Sequence, residues 1–328
     1  MLQPYEHSEV WTEIDKAIGK LAKATQSTYR KDFERFLRWG GHEFYSQEGA
    51  RWIVKCDSCV VEAYHEWLKS LPGDPTRRDL KAGDVVVVEG LASSTICRYL
   101  SSLTRIFNRL AHKGVIDKNP VSLKELAPEC AGRRMKRPTE YLSKEEVKAI
   151  FDLTLGSEVI ALRDKAYLSI LFGGGLRLKE CVSLKVEDFT QIGEMGTTPC
   201  MGLRIKASKG KPDDYAPLPM WAVRHIEEYL KYRSRIGNIS PQDPLLSAYA
   251  TGTKAWTPNG AYRRFKTFAR MIGKPNAHPH SARKSAITSF YDSTKDIILT
   301  QTYARHTSIS TTQRYIATTK GKVSAALG

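Results

Sequence analysis

Apolar residues recur at helical spacing through most of this chain. From Thr25 to Trp39, Tyr29, Phe33, Phe36 and Leu37 fall at i, i+4, i+7 and i+8, one face of an amphipathic helix, with Arg30, Lys31, Arg35 and Arg38 elsewhere on its surface. A second helix is predicted from about Ser94 to His112: Ile96, Leu100, Leu103, Phe107 and Leu110 face a core, and Gly114 and Asn119-Pro120 close it. At about 100° per residue, Arg98, Arg105, Arg109 and Lys113 form a stripe on its opposite side, suited to a phosphate backbone or simply to solvent. Between these helices, Lys69 to Gly90 reads as a turn-rich excursion (LPGDPTRRD) followed by a short Val-rich strand.

Residues 127–140 (APECAGRRMKRPTE) lack an apolar period and combine Pro and Gly with Arg133, Arg134, Lys136 and Arg137, which marks a linker. The expected organisation is a helical domain over 1–127, a basic linker over 128–140 and a second domain over 141–328. Ser143-x-x-Glu146 is a capping box that opens the second domain. Within it, Leu203 and Ile205 alternate with Arg204 and Lys206, and the turn Lys209-Gly210-Lys211-Pro212 leads to Ala216–Pro219, predicting a β-hairpin. Further helices are expected around Ala161–Leu171, Met220–Tyr232, Ala261–Met271, Ser281–Tyr291 and Thr311–Ile316, the last capped by Ser310-x-x-Gln313. The fold class is therefore mainly α, two largely helical domains of which the second (α+β) carries a small antiparallel sheet.

With 328 residues, 41% hydrophobic and 26% charged, the chain fits two globular domains and neither a disordered nor a fibrous protein. No apolar run approaches the roughly 18–20 residues of a membrane span, and MLQPYEHSEV lacks a signal-peptide pattern, so a soluble cytoplasmic protein without a membrane partner is expected. The 51 Lys and Arg against 35 Asp and Glu leave a net charge of +16, split as +5 over 1–138 and +11 over 139–328. Such a field draws polyanions, with nucleic acid the leading partner. Six cysteines without a framework spacing are expected to be free thiols. Neither Cys56-x-x-Cys59 nor His278 with His280 has further ligands at metal spacing, so no metal site is expected. Phe172-Gly173-Gly174-Gly175-Leu176-Arg177 lacks the lysine and hydroxyl of a phosphate-binding loop, so its glycines shape a turn before a helix, and no nucleotide cofactor is expected.

What remains in the basic second domain is a scattered set of chemistry-bearing residues: F-G-G-G-L-R-L-K-E with Arg177 and Glu180, S-K-G-K-P with Lys209, H-S-A-R with His280 and Arg283, and R-H-T-S-I-S-T-T-Q-R-Y with His306 and Tyr315. In order and spacing, residues 139–328 resemble the tyrosine recombinase, or phage integrase, family, including its Xer-type and Cre-type members. The helical first half, with T-Y-R-K-D-F-E-R-F-L and S-T-I-C-R-Y-L-S-S-L-T-R-I-F, looks like that family's core-type DNA-binding domain. The resemblance implies a two-domain, C-shaped clamp on double-stranded DNA at a specific recombination site, a homotetramer on two such sites, possible accessory proteins, and no cofactor. It implies that Arg177 and Arg283 are the catalytic arginines, Glu180 their supporting acid, His280 and His306 the two histidines, and Tyr315 the nucleophile. Lys209 matches the catalytic lysine, with Lys211 the alternative. Two positions depart from the family pattern: Ala304-Arg305 stand where Leu-Gly usually precedes the second histidine, and Lys284 follows Arg283 where Xer-type members often have histidine.

The chemistry fits these residue types. Attack on a phosphodiester builds charge on the non-bridging oxygens, and guanidiniums can clamp them bidentately, each clamp worth roughly 2.7–4 kcal/mol of barrier by analogy with an oxyanion-hole donor. A phenol with a pKa of about 10 needs a proton acceptor and a positive field, a role open to His280, while Lys209 can protonate the leaving 5′ oxygen and His306 can bond the scissile phosphate. Taken singly, each residue also has a plain structural reading: Arg177 and Glu180 as a surface pair, His280 as a cap, Tyr315 as a core residue. A non-catalytic DNA-binding protein of the same fold, or a type IB topoisomerase-like nicking-closing enzyme, are the alternatives to a recombinase.

Overall fold

The long helix from Ser93 to His112 buries the side chains that its apolar period marks: Ile96, Leu100, Leu103, Phe107 and Leu110 are all nearly inaccessible. The computed structural model describes residues 6–72, 78–81, 84–87, 90–128, 140–153, 156–195, 197–207, 212–249 and 252–316. Arg133, Arg134, Lys136 and Arg137 of the linker, Lys209 and Lys211 of the hairpin turn, and the Tyr315 side chain lie outside this description. The chain divides into two compact units, Met1–Met135 and Lys136–Gly328.

The first unit comprises α1 (His7–Gly19), α2 (Lys23–Trp39), α3 (Gln47–Lys55), α4 (Ser58–Ser70), the strands β1 (Arg78–Lys81) and β2 (Asp84–Val87), α5 (Ser93–His112) and the single turn α6 (Leu123–Leu126). Its core is aromatic: the Phe36 ring meets Tyr64 at 4.9 Å and Phe107 at 6.0 Å, both edge-on. Fully burying such side chains contributes about 1.5–3 kcal/mol each, so the spacing in α2 and α5 sets how these helices face each other. The helices α3 and α4 open on side-chain caps, with the Ser46 hydroxyl and Asp57 carboxylate accepting from the N–H groups of Gly49 and Val60. The excursion before α5 holds two antiparallel strands instead of the expected one, with Asp79 opposite Val86 and Lys81 opposite Asp84. The polar strand β1 carries no apolar alternation, so hydrophobic patterning passes over it.

The second unit opens with α7 (Lys144–Asp152), whose Ser143–Glu146 capping box forms with both reciprocal bonds. Next come α8 (Glu158–Gly173), α9 (Leu178–Ser183), and the strands β3 (Phe189–Met195), β4 (Thr198–Ile205) and β5 (Asp214–Pro217). The helices α10 (Met220–Ile236), α11 (Pro258–Met271), α12 (Pro279–Thr294), α13 (Ile297–Ala304) and α14 (Ile309–Ile316) follow. The expected hairpin is β4–β5, and β3 joins it in a three-stranded antiparallel sheet of order β3-β4-β5. The helix α8 is buried around most of its circumference (Ala166, Tyr167, Leu168, Ile170 and Leu171), packed by α10 and α12. The molecule is thus mainly helical with one small sheet in its second unit.

Two local expectations change. The helix α14 starts at Ile309, with the Thr311 N–H donating to the Ser308 carbonyl at 3.0 Å, so it begins ahead of the expected Ser310 cap. Cys97 is disulfide-bonded, which corrects the expectation of free thiols throughout; Cys56, Cys59, Cys181 and Cys200 are free. Burial pushes the Cys56 thiol up to about 12, with the Asp57 charge adding to it, the opposite of what a reactive thiol needs. Among the described residues no His/Cys/Asp/Glu cluster could hold a metal ion, and no helix is long and apolar enough to cross a membrane.

Candidate active site

The glycine-rich run ends α8 and turns the chain into α9. Gly174 is the C-cap, and Gly175 adopts φ +60°, a left-handed conformation that a side chain disfavours. A Cβ at Gly175 would also stand 3.4 Å from the Tyr303 hydroxyl oxygen. This turn places Arg177 at the N-cap of α9, with its side chain about half exposed.

Glu180, in the first turn of α9, organises the cations around it. Its Oε2 accepts from the Arg177 backbone N–H at 2.8 Å, and its Oε1 accepts from the Arg177 guanidinium at 2.8 Å. The Arg305 guanidinium, only 5% exposed, donates to the same Oε2 at 3.0 Å. Burial alone would raise the Glu180 carboxyl, but the Arg177 bonds and the two guanidinium charges outweigh it and hold the group below the usual carboxylate range.

Arg283 is buried in the first half of α12 and stitches two segments together. One guanidinium nitrogen donates to the Gly175 carbonyl and the other to the Ala304 carbonyl, joining the turn before Arg177 to the turn before His306. At 1% exposure it acts first as a brace, unlike the open clamp that residue type alone suggests. His306 follows in a buried position, its Nδ1 3.0 Å from the Thr312 hydroxyl, while Gln301 donates to its carbonyl at 2.9 Å. Burial and then the Arg283, Arg177 and Arg305 charges drive the His306 pKa down to about 4, so the ring is neutral at pH 7.

His280 is exposed in the first turn of α12, and its backbone N–H donates to the His278 Nδ1 at 3.3 Å, so His278 caps this helix. The structure therefore gathers Arg177, Glu180, Arg283 and His306 through direct bonds or shared turns, with His280 on the helix that carries Arg283. The Tyr315 backbone lies in the last turn of α14, the helix whose Thr312 holds His306. Lys209 falls between β4 and β5, outside the described residues. Tyr303, the other tyrosine near this end of the chain, donates its hydroxyl to the Gly173 carbonyl at 2.6 Å and stacks on Phe290, so it is committed to packing.

Two contributors escaped the sequence reading. Thr312 carries no signal beyond a hydroxyl six residues after the histidine. Arg305 had one: a residue where glycine is usual suggests positive φ, and Arg305 indeed has φ +53°, a conformation costing a non-glycine residue roughly 1–2 kcal/mol.

A model of the phage integrase family matches residues 140–322. The chain belongs to that family. This tyrosine recombinase is 26% identical over 315 residues to a tyrosine recombinase of Thermosipho africanus, covering 94% of this chain and 93% of the relative. It is 28% identical over 251 residues to the tyrosine recombinase XerC of Vibrio vulnificus, covering 76% of this chain and 70% of the relative. In three dimensions it is similar to the XerH site-specific recombinase bound to a palindromic difH substrate, with a TM-score of 0.68 and 20% identity over 99% of this chain and 85% of that one. The Tn1549 transposon integrase in complex with transposon right-end DNA gives a TM-score of 0.65 at 15% identity, covering 99% and 100% of the two chains. At these identities the structural likeness carries the fold alone.

In the first unit of this recombinase, the arginine stripe on α5 is not bare. Arg98 is paired with the buried Asp32 and lies over the Tyr99 ring at 4.3 Å. Arg109 is paired with Glu13 at 2.5 Å, and the Arg105 Nε donates to the Ala17 carbonyl at 3.4 Å. Lys113 is the C-cap residue of α5. Acids and carbonyls of α1 and α2 meet the stripe because amphipathic helices pack with their polar edges alongside their cores. Lys20, Arg105, Arg109 and His112 still line an open groove of about 590 Å³.

Proposed function

We propose that this tyrosine recombinase cleaves and rejoins duplex DNA at a specific site through a 3′-phosphotyrosyl intermediate on Tyr315. The Tyr315 hydroxyl oxygen attacks the scissile phosphorus, a P–O bond to Tyr315 forms and the P–O5′ bond breaks. The phenolic proton passes to His280, and Lys209 protonates the departing 5′ oxygen. The 5′ hydroxyl then attacks the phosphotyrosine of a partner duplex, regenerating the phenol and joining the strands, with a Holliday junction after the first exchange. Because the phosphotyrosyl bond keeps the phosphodiester's energy, the reaction balances without ATP.

The observation that carries this reading is the pair of hydrogen bonds that Arg283 donates to the Gly175 and Ala304 carbonyls. It holds the turn of Arg177 and the turn of His306 together, so that cations and a neutral imidazole converge where a phosphate's non-bridging oxygens need donors. Arg177, half exposed, is the clamp most open to the phosphate. Duplex affinity falls to the wider set of Arg98, Arg105, Arg109 and Lys113 with Arg133, Arg134, Lys136 and Arg137, as phosphate contacts carry affinity and not sequence. Four protomers on two DNA sites is the assembly consistent with a sequential strand exchange.

The test is covalent capture: incubate the wild type and Tyr315→Phe with nicked suicide duplexes of randomised sequence in EDTA, denature, and sequence the DNA that stays attached. Attachment by the wild type alone is expected. Attachment by Tyr315→Phe would remove Tyr315 as nucleophile, and tight binding without attachment by either would leave a binding protein. Strand exchange between two separate duplexes, as against relaxation alone, separates a recombinase from a topoisomerase.

A further inference from the structure

Arg305 occupies the C-cap of α13 in the left-handed region, φ +53° and ψ +47°, where glycine meets no penalty. Its side chain is nevertheless drawn inward to 5% exposure and bonded on three sides. One terminal nitrogen donates to Glu180 Oε2 at 3.0 Å, the other approaches the Gly174 carbonyl at 3.4 Å, and Nε lies 3.6 Å from the Asp214 carboxylate on β5. One guanidinium thus touches the helix of Arg177, the glycine turn before it, and β5, the strand that follows Lys209 in the chain. Along the chain it immediately precedes His306, and Tyr315 lies one short helix further on.

We infer that Arg305 is a positioning residue that locks the segment bearing His306 and Tyr315 onto the Arg177–Glu180 pair and the hairpin. The inference rests on the recombinase reading and adds a residue to it. A backbone placed in a conformation its side chain disfavours, with that side chain spent on a catalytic helix, a turn and a strand, is built for registration and not for solubility. Glu180 is bonded to Arg177 and Arg305 together, so losing Arg305 lets the Arg177–Glu180 pair shift relative to the following segment. The three atoms of contact set both distance and angle, which a lysine ammonium, a single point of charge, matches only in part.

The experiment compares the wild type, Arg305→Gly and Arg305→Lys in single-turnover covalent capture on the suicide duplexes that the wild type selects. Arg305→Gly relieves the left-handed backbone and so offsets part of the lost contacts, and capture is compared at equal folded fraction after urea denaturation of each variant, which separates loss of registration from loss of fold. At saturating duplex, capture by Arg305→Gly is expected to slow by roughly 10- to 100-fold, with duplex affinity unchanged and Arg305→Lys recovering part of the rate. The same substitution should raise the His306 titration followed by NMR in the free protein, since one of the cations facing that ring is removed. Capture by Arg305→Gly at the wild-type rate would overturn the inference while leaving the recombinase reading intact. Failure of the wild type itself to capture any duplex would remove the reading and the inference with it.

Discussion

The arginines of α5 and those of the candidate site are held by different kinds of partner. On α5, Arg98 meets Asp32 and Arg109 meets Glu13, acids from other helices of the same unit, so much of the stripe's charge is cancelled where it arises. In the candidate site, Arg177 and Arg305 share the carboxylate of Glu180, Arg305 also approaches Asp214, and Arg283 is held by two backbone carbonyls, which orient a guanidinium without neutralising it. Both regions use arginine to hold elements together. Around His306 the Arg283, Arg177 and Arg305 charges together help push its pKa down to about 4 after burial has begun the shift. A guanidinium held by neutral carbonyls keeps its full positive charge for an anionic ligand.

Three measurements sharpen this contrast. Arg283→Ala should have the largest effect: it strands two carbonyls in a buried site, and with charged hydrogen bonds worth about 1.5–3 kcal/mol each, urea denaturation should register a loss of about 3 kcal/mol or more, with covalent capture abolished. Retained capture would return Arg283 to a peripheral role. Asp32→Ala comes next. It removes the acceptor of both Arg98 and the buried Ser102 hydroxyl, and should cost about 1–3 kcal/mol of stability by the same measurement. Because the Arg98 cation is released and not lost, duplex binding at low salt should hold or tighten; weakened binding at equal folded fraction would contradict the α5 half of the comparison.

The third effect is confined to acid. His306 has a folded-state pKa lowered from about 6.5 to about 4, so the unfolded chain binds more protons between these values. The sign follows: the stability held above pH 6.5 falls as the pH drops towards 4, and nothing changes near pH 7. His306→Gln should flatten the slope of unfolding free energy across that window. An unchanged slope would show that His306 is not the group held neutral there.

Apolar periodicity identified α2 and α5, whose inner faces are buried. The helices α2 and α5 follow their apolar spacing closely, the Ser143–Glu146 box opens α7 as its residue types require, and the Lys209 turn separates two strands of one sheet. The helices α1, α3 and α4 were passed over although each buries one face, as with Val10, Trp11, Ile14, Ala17 and Ile18 in α1, whereas two other unread elements lack that contrast. Strand β1 is polar, and α13 presents Ile298 and Leu299 to solvent, so its pattern does not distinguish inside from outside. The candidate site was legible as a set of residue types in order, through Arg177, Glu180, His280, Arg283, His306 and Tyr315. Its bonding was not.

Local rules thus reach as far as local physics. The turn at Gly175, the cap at Arg177 and the amphipathic faces depend on neighbours within a few residues, and these the amino-acid order dictates by itself. Whether a given arginine is a brace, a clamp or a solvated charge depends on partners far along the chain: Arg98 with Asp32 across 66 residues, Arg283 with Gly175 across 108, Arg305 with Glu180 across 125. Those pairings exist only once the helices have packed, because burial is what makes a guanidinium seek a fixed acceptor in place of water. Residue chemistry named the candidates; tertiary packing chose which of them share a carboxylate, which hold the backbone, and which face outward.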